Sequence, residues 1–158
     1  MFNFLKQKPK IQKTLGQIGE EIAQAEYCSK GFSIIERNFF NTTGKQLGEL
    51  DFIARDKTTI VFVEVKTRSE GVHKFGTGMA AVDRRKQLKI LKAAKIYLSS
   101  HKELVSLQPR IDICEIIMGS VTEMVRGSVR QPIYHRAGGV DIYLKSVTIL
   151  MNAVEDCI

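Results

Sequence analysis

The chain has 158 residues, 44% of them hydrophobic and 26% charged, a composition that indicates one domain with an ordinary core and excludes a disordered or fibrous protein. The 24 lysines and arginines against 17 acidic residues give a net charge of +7, which favours a polyanionic partner such as nucleic acid, the alternative being a merely soluble basic surface. Because no apolar stretch approaches the roughly 20 residues of a membrane helix, and basic residues follow the apolar Met1 to Leu5 at once, the sequence predicts a cytoplasmic protein without a membrane partner.

The first predicted element is a helix from Ile11 to Ser29, which Gly31 would end. Its apolar residues recur three and four positions apart, as on one helical face: Leu15, Ile18, Ile22 and Ala25. Three strand-like runs follow, separated by turn-forming or polar residues: Phe32 to Phe40, Leu47 to Ala54 and Thr59 to Thr67. Their short connections favour antiparallel hairpins.

A second helix is predicted to be capped by Asp83 and to run to about Ser100. Its expected buried side consists of Gln87, Ile90, Leu91, Ala94, Tyr97 and Leu98. The other side carries a basic stripe at helical spacing: Arg85, Lys89, Lys92 and Lys95. This basic stripe is either a solvated face or a surface that contacts phosphates.

The C-terminal part predicts a fourth strand over Arg110 to Met118 and at least one further element within Val140 to Val154. Residues 119–139 are polar and interrupted by glycine, serine and proline, which predicts a mobile basic loop or a ragged hairpin. Its candidate nucleic-acid contacts are Arg126, Arg130 and Arg136. Residues 1–10 are expected to form a flexible basic N-terminus. The order of elements predicts a single α/β domain with a mixed sheet between helices.

The third strand carries the strongest candidate site. It has two apolar faces, which predicts a central, buried strand: Ile60 and Phe62 on one, and Val61, Val63 and Val65 on the other. Glu64 and Lys66 continue the Ile60 face, so a carboxylate and an ammonium lie side by side at the strand's end. Buried ion pairs stabilise weakly, and this pair therefore favours a functional role over a structural one.

The preceding strand supplies a second carboxylate, Asp51, which precedes Glu64 by 13 positions. We expect Leu50, Phe52 and Ala54 on one face of that strand and Glu49 and Asp51 on the other. A short antiparallel connection would bring Asp51 and Glu64 close together, as a hard cation such as Mg²⁺ or Mn²⁺ requires. Alone, Asp51 would be interpreted as a turn or edge carboxylate. Glu20 lies on the flank of the first helix, where a solvent-exposed glutamate is the default interpretation.

Taken together, these segments resemble the YraN-like family of small bacterial proteins. The resemblance is carried by Gly16 to Glu20 with Ala23, Arg37-Asn38, Gly48 to Asp51, Phe62 to Arg68, Phe75-Gly76 and Lys86. The arrangement of Asp51 with Glu64-Val65-Lys66 is similar to the restriction-endonuclease-like PD-(D/E)xK superfamily, which includes archaeal Holliday-junction resolvases.

The resemblance implies a restriction-endonuclease-like three-layer core in the order α-β-β-β-α-β. It also implies that Glu20, Asp51 and Glu64 surround a divalent cation, Mg²⁺ or Mn²⁺, and that Lys66 lies near the attacking water and the scissile phosphate. We therefore expect a metal-dependent nuclease that acts on DNA rather than RNA, including branched, repair or recombination intermediates. The alternatives are a non-catalytic nucleic-acid-binding module of the same fold and a structural protein with an ion-pair network. Oligomeric state, including a homodimer, stays open.

Overall fold

The computed structural model describes residues 13–40, 48–71, 84–136 and 138–154. The helices are α1 (Leu15–Ser29), α2 (Arg84–Ser100) and the short α3 (Glu123–Arg126), with a 3₁₀ turn at Lys102–Leu104. The strands are β1 (Ser33–Phe40), β2 (Glu49–Arg55), β3 (Thr59–Ser69), β4 (Gln108–Ser120), β5 (Ile133–Tyr134) and β6 (Ile142–Leu150). Among the helices of the described residues, none is long and apolar enough to cross a membrane.

The strands form one mixed sheet in the order β1-β2-β3-β4-β6-β5. The first three strands pair antiparallel, as their short connections predict. Strands β3 and β4 are parallel, which requires a crossover, and α2 lies in that connection. Strand β6 returns antiparallel to β4 and pairs with β5. The predicted order α-β-β-β-α-β and the mixed sheet are confirmed, and β5 and β6 extend them.

Two apolar cores lie on opposite faces of the sheet, so the fold has three layers. On the α1 side, Val61 and Val63 of β3 pack with Ile18 of α1. On the α2 side, Ile60 and Phe62 pack with residues of α2. Strand β3 is therefore central and buried on both faces, as its sequence predicts.

Helix α1 differs from the prediction at its start and on its buried face. It begins at Leu15 rather than Ile11, because Thr14 accepts the Gln17 N–H and the Gln17 side chain accepts the Thr14 N–H, which forms a capping box. Ala25, predicted to be buried, is exposed, whereas Tyr27 is 1% exposed. The large Tyr27 ring packs edge to face with Phe52 of β2. The helix therefore turns its Tyr27 side, and not Ala25, toward the sheet.

Residues 119–139, predicted as a loop or ragged hairpin, contain the end of β4, the short α3 and β5. The mobility of this segment stays a prediction. Helix α2 has the predicted end at Ser100 and buries most of its predicted face. The expected flexible segment 1–10, the capping residue Asp83 and the Phe75-Gly76 pair lie outside the described residues.

Candidate active site

The candidate site forms where β2 separates from β3. The ladder between these strands runs from Arg55 opposite Ile60 to Phe52 opposite Val63. Beyond that point the Asp51 side chain replaces the backbone acceptor, because its Oδ2 accepts the Val65 N–H at 2.5 Å. The carboxylate of Asp51 is thereby fixed against the end of β3 that carries Glu64.

The predicted alternation of β2 is wrong at Leu50. Phe52 and Ala54 pack in the α1-side core as expected, but Leu50 packs in the α2-side core together with Ile53. The pairing with β3 ends at Phe52, but β2 stays paired with β1, where Leu50 lies opposite Phe39. Phe39 packs against the same α2-side core, and the residue before it, Asn38, has a left-handed φ of 50° that interrupts the regular course of β1. Gly48 permits this course, because a Cβ there would lie 2.6 Å from the Lys89 carbonyl oxygen of α2.

Glu64 is the buried centre of the site. Its side chain is only 4% exposed, and its Oε1 accepts a hydrogen bond from Lys66 Nζ at 2.7 Å. A second lysine, Lys86 in the first turn of α2, brings its Nζ to 3.1 Å from the same oxygen. The other oxygen, Oε2, is buried and has no hydrogen-bond partner among the described residues. One oxygen of this carboxylate is therefore neutralised, and the other is a buried acceptor left unpaired among the described residues.

Asp51 is electrostatically coupled to this centre. Burial raises the pKa of Asp51 to about 6, although the Val65 N–H lowers it. The negative charges of Glu64 and Glu20 raise the same pKa further, and Lys86 opposes them. A cation between these carboxylates would favour the ionised form of Asp51 and so lower this pKa.

Glu20 reaches the edge of the site because α1 lies close to β3. A Cβ at Gly19 would overlap the Thr67 side chain, so only glycine permits this approach. Burial raises the pKa of Glu20, and so do the neighbouring charges of Glu49, Glu21 and Glu64. Glu20 also lines a cleft of about 460 Å³ with Arg37 and Asn38, two of the residues that carry the resemblance to the YraN-like family.

The structure thus brings Asp51, Glu64 and Lys66 together and places Glu20 beside them. Across the described ranges, no three or more His, Cys, Asp or Glu side chains are grouped as a metal site. The oxygens of Asp51 and Glu64 fit a hard divalent cation whose remaining ligands are waters and phosphate oxygens. Lys86 belongs to the same constellation, and the sequence assigned it no role. The sequence feature that pointed to Lys86 was its presence among the residues that resemble the YraN-like family.

The predicted nucleic-acid contacts lie in several places. In the basic stripe, Arg85, Lys89 and Lys95 are exposed and Lys92 is half-buried. Arg126 forms an ion pair with Asp141 at 3.2 Å, and Arg130 is exposed. Arg136 pairs as an isolated β-bridge with Lys13, directly before α1. Contact of any of these residues with nucleic acid stays a prediction.

Comparison with known proteins identifies the family. Residues 19–116, from α1 through most of β4, match the model of the uncharacterised protein family UPF0102. The chain belongs to the UPF0102 family. UPF0102 is the YraN-like family, so the resemblance found in the sequence is confirmed. The matched region contains Glu20, Asp51, Glu64, Lys66 and Lys86 and ends before β5 and β6.

Individual UPF0102 proteins match over most of their length. One from Caldanaerobacter subterraneus subsp. tengcongensis is 44% identical over 107 residues, which cover 68% of this chain and 82% of the relative. Relatives from Clostridium botulinum strain 657 and Clostridium acetobutylicum are each 38% identical over 109 residues, which cover 69% of this chain and 84% of each relative.

Proposed function

We propose that this UPF0102 protein hydrolyses phosphodiester bonds in nucleic acid with the help of Mg²⁺ or Mn²⁺, with DNA favoured over RNA and branched, repair or recombination intermediates among its substrates. One observation carries the proposal. Glu64, buried at the end of the central strand beside Asp51, has one oxygen held by two lysines and the other unpaired among the described residues.

The energetic cost of this arrangement supports a function. Burying the Glu64 carboxylate and partly burying two ammonium groups is unfavourable, and apolar side chains of similar size are often more stabilising at such a position. Asp51 adds to the cost, because a pKa of about 6 means that its ionised form is disfavoured in the folded protein. A divalent cation bound by both carboxylates would offset much of this cost.

The residues of the chain would divide the chemistry as follows. Asp51 and Glu64 would hold the cation, which when bound polarises a phosphate oxygen and lowers the pKa of a coordinated water. Lys66 is 31% exposed while its Nζ stays on Glu64, so it can reach a phosphate at the surface. As a compact point charge, it would stabilise negative charge that develops on the phosphate or orient the attacking hydroxide. Lys86 would act as a positioning residue, because it fixes Glu64 Oε1 from the α2 side.

A non-catalytic nucleic-acid-binding module is the second candidate. The observation in its favour is that Lys66 and Lys86 already neutralise Glu64, so the cluster is also consistent with an ion-pair network. The net charge of +7 suits both functions equally. Only cleavage separates the two.

The test is a cleavage assay on branched, single-stranded and duplex DNA and on RNA, with Mg²⁺, Mn²⁺ or EDTA. Cleavage by the wild type should require the metal and should be abolished in Asp51→Asn and Glu64→Gln. The matched control is Asp56→Asn, in the turn between β2 and β3 at the opposite end of β3, which should cleave like the wild type. Cleavage that survives in EDTA or in both site variants would contradict the proposal. Metal-independent binding without cleavage of any substrate would favour the module.

A further inference from the structure

A row of largely polar side chains, interrupted on β4 by Ile117, leads away from the candidate site across the sheet. Lys66 of β3 pairs with Glu115 of β4, which pairs in turn with Thr148 of β6. Further along the same two strands, Ile117 pairs with Ser146, and Gly119 pairs with Tyr143. Cross-strand partners share a face of the sheet, so this polar row lies on the face that carries Glu64 and Lys66.

The polar row lies beside α2 rather than under it. Helix α2 packs over β2 and β3. Ser146 and Thr148 lie on β6, two strands away from β3, and both are exposed. Arg68 lies beside the row and forms an ion pair with Glu115, its Nε 3.8 Å from the carboxylate oxygen and too far for a hydrogen bond. An exposed sheet surface of hydroxyl groups with one ion pair therefore adjoins the site.

The polar row ends at an aromatic cleft. Tyr143 lines a cleft of about 390 Å³ together with Ser128, Arg130, Gln131 and Lys145. Gly119 makes room for the tyrosine ring, because a Cβ there would lie 2.5 to 2.8 Å from the ring's outer atoms. Arg130 is exposed and has no ion-pair partner among the described residues, whereas Lys145 is paired with Glu70. The cleft combines an aromatic ring, a cation and an amide with the apolar side chains of Val125, Val129 and Leu144.

We infer that this row and cleft bind a single strand of nucleic acid, with a base stacked on Tyr143 and the backbone phosphates on Arg130 and Arg68. An aromatic platform beside cations is the usual means of holding unpaired bases, and it tolerates any sequence. The base faces of a duplex are covered by their neighbours and could not reach Tyr143. The inference rests on the proposed function only in placing the scissile phosphate at Lys66.

The distance between Lys66 and Tyr143 suits a short single strand. From Lys66 to Tyr143 the path crosses two strand spacings and four residues of β4. With about 4.8 Å per strand and about 3.3 Å per residue, the direct distance is roughly 16 Å, which a few nucleotides can span. The row would then hold the segment next to the bond that is cleaved. The preferred substrates would therefore be nucleic acids with a single-stranded segment next to the cleaved bond.

The test measures binding without metal, so it does not depend on cleavage. Fluorescence anisotropy in EDTA compares a labelled 20-nucleotide oligothymidine with a 20-base-pair duplex. Tyr143→Leu should weaken single-strand binding by about 10-fold, whereas Tyr143→Phe, which keeps the ring, should stay close to the wild type. Arg130→Gln should reduce the salt dependence by about 0.7 log units, the value for one phosphate contact on a single strand. The matched control is Lys57→Gln in the exposed turn at the opposite end of β3, which should change neither.

Photocrosslinking with an oligonucleotide that contains 5-iodouracil provides a readout on the wild type, independent of how any variant folds. Adducts on Tyr143 would support the inference, and adducts confined to other surfaces would overturn it. Equal binding by Tyr143→Leu and the wild type, or binding of duplex alone, would also overturn it. If Tyr143→Leu binds and cleaves normally, the strand inference fails and the proposed nuclease stands. If Tyr143→Leu loses binding but the wild type cleaves nothing, the inference stands and the nuclease fails.

Discussion

Replacing Asp51 by asparagine should make the metal-free protein more stable. In the folded chain the pKa of Asp51 is raised from 3.8 to about 6, chiefly by burial, so the ionised carboxylate is disfavoured relative to the unfolded chain. Asparagine removes the charge, and its side-chain oxygen can still accept the Val65 N–H that Asp51 accepts. The substitution therefore removes an electrostatic cost and keeps the local hydrogen bond.

The size and the pH dependence of this gain follow from the pKa. A rise of about two pKa units corresponds to about 3 kcal/mol, an upper value because Asp51 is partly exposed, and we expect about 1 to 3 kcal/mol. Below about pH 4 the carboxyl is protonated in both the folded and unfolded chains, so the gain disappears. As the pH rises from about 4 to about 6, the wild type loses this stability, and above about pH 6 the full gain of Asp51→Asn is present.

Thermal unfolding in EDTA at pH 5.0 and 7.5 measures the effect. At pH 7.5 the midpoint of Asp51→Asn should exceed that of the wild type by a few degrees, up to roughly 10 °C, and the gain should be smaller at pH 5.0. The matched control is Asp56→Asn. The N–H groups of Thr58 and Thr59 lower the pKa of Asp56, so its neutralisation should not stabilise the fold. A lower midpoint for Asp51→Asn at pH 7.5, or a gain independent of pH, would refute the reasoning.

Three further outcomes are expected. Calorimetry should detect Mn²⁺ binding to the wild type that is abolished in Glu64→Gln. The Mn²⁺ affinity of the wild type should fall below about pH 6, because Asp51 becomes protonated. An affinity that does not depend on pH would place the metal elsewhere. Gly19→Ala should lower the free energy of unfolding, measured in urea, by about 1 to 3 kcal/mol, because the new methyl group overlaps Thr67. Adding Thr67→Ala should recover part of that loss. An unchanged stability of Gly19→Ala would contradict the close approach of α1 to β3. Changing Lys89 and Lys95 to glutamine should lower the salt dependence of duplex binding by about 0.9 log units per lost phosphate contact, and an unchanged slope would identify the basic stripe as a solvated face.

The central strand could be predicted because its pattern depends on burial alone. Apolar residues on both faces of β3 occur only in a strand covered on both sides, and two cores are found there. The period of two then places Lys66 on the same face as Glu64, and the hydrogen bond between them confirms it. This part of the site followed from local geometry.

Other features depend on contacts between distant segments, which one sequence does not display. Leu50 packs in the α2-side core together with its β1 partner Phe39, and the rotation of α1 results from the packing of Tyr27 on Phe52. Lys86 reaches Glu64 only because α2 begins beside the end of β3. Tyr143 lies 77 positions after Lys66, and only the sheet order places both on one face.

The most direct test of the proposed function compares cleavage and binding in Lys66→Ala, on the best substrate of the panel. The proposal predicts that cleavage falls by about 100-fold or more, because the positive charge at the scissile phosphate is lost, while binding without metal stays within a few-fold of the wild type. Lys57→Ala, which removes an equal charge in the turn between β2 and β3, should cleave like the wild type. Cleavage by Lys66→Ala at the wild-type rate would show that the end of β3 is not the active site.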